Sequence, residues 1–198
     1  MLLLIWAALG AVLGYLLELY AVYALRNREH RPLRGSRLLA ILAMAIAVPL
    51  LYRAAPGLFL PNLVLLCLLT VVTLTDLMAM LILNRTLAVF AVPLILLRLW
   101  YPLEGGLLAS VAGGALAFAL MAAMAVLSRG QVGGGDVKLY ALLGFYMGTE
   151  AVLVNLFLAS VLALTGTLLL LALRKKKRSD PVSFGPYIAL AGALMLLL

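Results

Sequence analysis

Long apolar runs follow one another along almost the whole chain, separated by short polar breaks. A water-soluble domain has no interior large enough for them. Of the 198 residues, 67% are hydrophobic and only 11% charged, and the mean hydropathy is +1.21. In a bilayer's hydrocarbon core a helix satisfies its own backbone, whereas an open strand edge cannot. Eight spans are expected: Leu2–Leu25, Leu38–Tyr52, Leu58–Thr75, Leu87–Tyr101, Gly106–Leu127, Val137–Thr149, Ala151–Leu173 and Phe184–Leu198. The fold class is therefore all-α, a polytopic membrane protein of about eight transmembrane helices. With no internal repeat and no low-complexity linker, residues 1–198 read as one helical membrane domain.

Charge sets the orientation. Nothing basic precedes the first span, while Arg26, Arg28, Arg31, Arg34 and Arg37 follow it. A secretory signal has the opposite flanks, so the first span is expected to be a retained helix with its N-terminus outside. Alternation from there puts thirteen of the fifteen Lys and Arg residues in cytoplasmic loops and leaves Arg53 and Arg98 outside. The net charge of +8 is thus mostly topological. Two short basic loops, 26–37 and 174–182, suit the anionic headgroups of a lipid bilayer. Aromatics do not interleave with these charges, so nucleic acid is not an expected partner.

Two acids then stand out. Asp76 ends the apolar run Leu58–Thr75 and precedes seven more apolar residues, Leu77 to Leu83. A carboxylate inside a bilayer costs at least ~2.5 kcal/mol, which makes such a residue a functional candidate. If the helix runs on to the polar break at Asn84-Arg85, Asp76 lies roughly 12 Å along the axis from it. Asp136 closes Gly133-Gly134-Gly135-Asp136, ahead of a stretch, Val137–Thr149, that covers about 20 Å as a helix against a core of roughly 30 Å. The glycines are expected to enter the membrane as irregular backbone, where they accept positive φ and close approach of another chain segment. The alternative is an interfacial turn with a solvated Asp136 as helix N-cap.

Two carboxylates in a poorly solvated site titrate as a pair and hold one proton between them. The ionised acid takes a proton from water while the protonated one polarises a carbonyl, which is the chemistry of peptide hydrolysis. Two other functions use the same polar residues: a small proton- or solute-coupled transporter, or a catalytically inactive assembly partner. The only histidine, His30, sits in the Arg-rich loop as a solvated residue. The only cysteine, Cys67, lies mid-span as a packed thiol. No Ser–His or Cys–His set and no metal site with ligand spacing follow from these.

Gly133-Gly134-Gly135-Asp136-Val137-Lys138 resembles the GxGD motif of type IV prepilin peptidases, aspartic membrane peptidases of bacteria. Asp76 followed by Ile82-Leu83-Asn84-Arg85 is similar to that family's first motif, in which the Asp precedes a segment usually ending in Ile-Pro-Asn or Ile-Pro-Asp. Ser183-Phe184-Gly185-Pro186-Tyr187 resembles the Pro-Phe-Gly-Pro element that opens the last helix. The likeness covers residues 58–198. It implies Asp76 and Asp136 as the catalytic pair, with Gly133, Gly134, Gly135, Lys138, Asn84, Gly185 and Pro186 supporting them. It also implies prepilin or pseudopilin substrates, cut after a glycine at a short basic leader on the inner face of the bacterial cytoplasmic membrane.

Two departures bear on this. Leu83 stands where the family has proline. The loop Arg26–Arg37 has about a dozen residues and no cysteine, where many members carry an insertion with two Cys-x-x-Cys pairs linked to N-methylation. The chain looks like a short form in which no cofactor site is legible, which speaks against N-methyltransferase activity. Glu18 lies at roughly the depth inferred for Asp76. It either binds a basic leader, tunes the aspartates, or snorkels toward Arg26. Gly106, Ser110 and Gly114 recur at four-residue spacing, a pattern of close helix packing.

Overall fold

The computed structural model describes residues 1–30, 33–128, 132–174 and 182–197. Arg31 and Leu198, named above, lie outside them, as do Arg129, Lys175, Lys176, Lys177 and Arg178, which are among the thirteen basic residues counted toward the cytoplasm. Among the described residues the chain forms eight α-helices and one short 3₁₀ turn, with no strand. They are α1 (Leu2–Ala24), α2 (Ser36–Ala54), α3 (Phe59–Ala79), α4 (Asn84–Trp100), α5 (Gly106–Leu127), α6 (Gly134–Met147), α7 (Thr149–Ala172) and α8 (Gly185–Leu197). Every expected span corresponds to one helix. Five of them, α1, α2, α3 with its preceding turn, α5 and α7, are long and apolar enough to cross a membrane.

The most buried helix is α3, which packs against α1, α2, α4 and α8. Its Leu65, Leu69 and Val72 join Leu139, Leu143 and Ile188 in the main core. Val71 and Leu74, on another side of the same helix, meet Ala21 and Ala40 from the α1–α2 hairpin. Apolar residues all around a helix are what a central position requires.

Small residues set the closest helix pairs. A methyl added at Gly10 or Gly14 of α1 would run into the backbone of Met44 or Ala40 in α2. Between α5 and α6 the equivalent contact is Gly113 against Gly144, with Gly114 beside Ala141. The expected Gly106–Ser110–Gly114 stripe is thus met only in part. Gly106 faces open space at φ +68°, and Ser110 is buried. Backbone contact at Gly113, one position out of the stripe, is what brings these helices together.

At the far ends of α4 and α6 sits Arg98. Its Nη1 donates to the Tyr101 carbonyl at 2.9 Å, its Nη2 donates to the Tyr146 carbonyl, and its guanidinium stacks 4.5 Å from the Tyr146 ring. The Tyr146 hydroxyl donates to Asn62 Oδ1 at 2.5 Å, tying α6 to α3. This polar latch pins three helices at the end opposite Asp76 and Asp136.

Candidate active site

Asp76 lies one turn from the C-terminus of α3 and is 6% exposed. The helix does not run on to Asn84. It stops at Ala79, because Met80 adopts the left-handed conformation (φ 51°) and its N–H closes on the Asp76 carbonyl at 2.8 Å. A non-glycine residue in this region is unusual and is held there by its surroundings. The chain then turns through 81–83 and re-enters a helix at Asn84. Leu83, in the place of proline, is extended (ψ 129°) and forms the N-cap of α4.

Two donors from the start of α8 hold the Asp76 carboxylate. Ser183 Oγ donates to Oδ2 at 2.6 Å and the Gly185 N–H donates to the same oxygen at 2.7 Å. Among the described residues Oδ1 accepts no hydrogen bond. Gly185 is required by space: a Cβ there would stand 2.8 Å from Oδ2 and 3.0 Å from the Asp76 Cβ. Pro186, second in α8, fits the first turn, where a missing N–H leaves no helical bond unmade.

Asp136 is the third residue of α6, in the first turn, where a negative charge meets the helix dipole favourably. It is not the N-cap; Gly133, extended at φ −69° and ψ 143°, holds that place. Nor are the two glycines that follow it irregular backbone. Gly134 and Gly135 are helical, and none of the three has positive φ. Their role is close approach. A Cβ on Gly135 would stand 2.7 Å from the Ile82 Cβ and 2.9 Å from the Ile82 carbonyl, and one on Gly133 would stand 3.0 Å from Asp136 Oδ2.

These contacts bring the elements together. Gly135 admits the 81–83 segment that follows Asp76, and Lys138 Nζ donates to Asn84 Oδ1 at 2.9 Å just beyond it. The ends of α3 and the starts of α4, α6 and α8 therefore converge around two carboxylates. One turn along α6 from Asp136, Tyr140 is fully buried, and its hydroxyl has no partner among the described residues. No group of three His, Cys, Asp or Glu side chains able to hold a metal occurs among the described residues.

Glu18 stands elsewhere. It is 5% exposed, with Ser36 Oγ donating to Oε1 at 3.1 Å and Arg37 Nε donating to Oε2 at 3.2 Å. Its basic partner is therefore Arg37, at the start of α2, rather than Arg26, whose guanidinium lies over the Tyr23 ring. Ser183 is the site contact that sequence reasoning missed as such. Its position two residues before Gly185, in a loop bordering an apolar helix, was the available signal.

Residues 63–173 match the family model described as the type IV leader peptidase family. The prepilin leader peptidase/N-methyltransferase of Bacillus subtilis (strain 168) is 39% identical over 139 residues, which cover 68% of this chain and 54% of that protein. The protein of the same name from Aeromonas hydrophila is 33% identical over 169 residues, 81% of this chain and 56% of that one. The Dickeya chrysanthemi protein is 37% identical over 98 residues, 49% and 35% of the two chains. The chain spans about half the length, or less, of these relatives. No solved structure matches it. With five helices apolar and long enough to cross a bilayer, it is a multi-pass membrane protein.

Proposed function

Because this chain belongs to the type IV leader peptidase family, we propose that it is a membrane aspartic endopeptidase acting on prepilins or pseudopilins. Its catalytic pair is Asp76 and Asp136. The observation that carries this reading is the convergence of three elements: Ser183 and Gly185 fix the Asp76 carboxylate, while Gly135 and Lys138 lock the Asp136 helix onto the segment after Asp76.

The chemistry follows from two acids sharing one proton. The ionised carboxylate takes a proton from water as its oxygen adds to the scissile carbonyl carbon. The protonated carboxyl donates to the carbonyl oxygen, which bears the developing charge. Collapse of the tetrahedral intermediate breaks the C–N bond, and a proton passes from the pair to the leaving nitrogen. Ser183 and Gly185 position Asp76 for this cycle by holding its Oδ2. Lys138, two residues from Asp136, is held by Asn84 at the mouth of the site.

The pair faces the cytoplasm in this reading, with eight crossings, the N-terminus outside and the cytoplasmic membrane as the compartment, since the Lys and Arg residues gather on that side. The substrate is a short basic leader ahead of an apolar helix. Co-expression with a prepilin and mass measurement of the mature N-terminus tests it. A cut immediately after the leader's glycine is the expected result. Unprocessed prepilin, or a cut inside the apolar helix, would overturn the assignment.

A further inference from the structure

A cavity of about 550 Å³ opens where the end of α1 meets the start of α4, on the side of the bundle that carries Asn84. Three guanidinium-bearing residues line it, Arg26 and Arg28 from the end of α1 and Arg85 from α4. The ion pair found among the described residues joins Arg37 to Glu18, so no described carboxylate lies within ion-pair distance of these three. Three like charges around one concavity are mutually unfavourable unless an anion sits among them. The rest of the lining is amphipathic. Asn84 gives a polar edge, and Tyr20 and Leu83 give apolar walls.

The neighbouring surface narrows the choice of anion. Four residues before Tyr20 and Tyr23 on α1 stand Leu16 and Leu19, which are exposed, and four residues after Arg85 on α4 stands Val89, also exposed. Residues four apart share a helix face, so each arginine-bearing wall continues as an apolar strip along the helix. A soluble phosphate would use the guanidiniums and leave these strips bare. A diacyl lipid uses both. A choline headgroup would set its own cation against the arginines.

We propose that this cavity seats one anionic phospholipid, its phosphodiester held by Arg26, Arg28 and Arg85 and its acyl chains laid along α1 and α4. This site is independent of the peptidase reading. It touches the site through Leu83, which ends the segment after Asp76, and through Asn84, which accepts from Lys138.

Native mass spectrometry of the whole protein in detergent tests the proposal with three probes: phosphatidylglycerol, phosphatidylcholine with the same acyl chains, and inorganic phosphate. Wild-type protein should retain one phosphatidylglycerol in preference to phosphatidylcholine, and millimolar phosphate should not displace it. The Arg26→Gln/Arg85→Gln double variant should bind phosphatidylglycerol about thirtyfold more weakly, roughly fivefold for each guanidinium removed. An Arg34→Gln/Arg174→Gln control loses the same charge outside the cavity and should bind as wild type. Equal retention of the two lipids, or displacement by phosphate, would overturn the proposal on the unaltered protein. Equal weakening of the two double variants would reduce the site to diffuse surface charge and overturn it as well.

Discussion

Gly185→Ala perturbs the proposed site at a single atom. The added Cβ would stand 2.8 Å from Asp76 Oδ2, where ordinary contact begins near 3.4 Å. The carboxylate must therefore retreat by roughly 0.6 Å, the difference between those two distances. Retreat of that size stretches the 2.7 Å bond from the Gly185 N–H to the weak edge of hydrogen bonding. A hydrogen bond to a charged group contributes about 1.5–3 kcal/mol, and a misplacement near 1 Å at a reacting group costs on the order of a hundredfold in rate. The two estimates agree on a 10- to 100-fold fall in kcat. Single-turnover cleavage of a purified prepilin measures it, with thermal unfolding in the same detergent as the control for folding. The reasoning fails if Gly185→Ala cleaves at the wild-type rate, or if the loss of rate is matched by loss of the folded protein.

The glycine tract gives a second test: Gly134 has nothing within 4 Å of its missing Cβ, so Gly134→Ala should cleave within a fewfold of wild type, whereas Gly135→Ala collides with Ile82 and should lose most of its rate. Arg98→Met leaves two helix-end carbonyls without their charged donor. It should lower stability by roughly 3–6 kcal/mol for the two bonds, read as a lower unfolding midpoint, while the cleavage rate of the folded fraction holds because Arg98 lies about 20 Å along α4 from Asn84. The loop 26–37 carries no cysteine, so cleavage should persist in a chelator, and a product heavier by one methyl group when S-adenosylmethionine is present would contradict this reading of the loop.

The helices were legible because their apolar runs are long and their breaks polar. What was hidden is tertiary. Leu77 to Leu83 is uninterrupted apolar sequence, so nothing in it marks the stop at Met80. That stop goes with Ile82 packing on Gly135, more than fifty residues away in sequence. The Gly133–Gly135 tract announced a special place but not its reason, since positive φ and close approach both select glycine and only packing distinguishes them. Snorkelling toward Arg26 was one of three readings of Glu18, based on distance along one helix, whereas the α1–α2 hairpin brings Arg37 to it instead. Asp76 and Asp136 were legible because an acid against apolar sequence is costly wherever the chain goes. Ser183 was not, because a loop serine costs nothing.

Cleavage by the single variants Asp76→Asn and Asp136→Asn tests the central claim most directly. Each replacement keeps the side chain's size and removes its capacity to exchange a proton, so neither residue can stand in for the other. Both purified variants should insert and fold as wild type and leave the prepilin uncut over times in which the wild type converts all of it. Efficient processing by either one would show that the chemistry lies elsewhere.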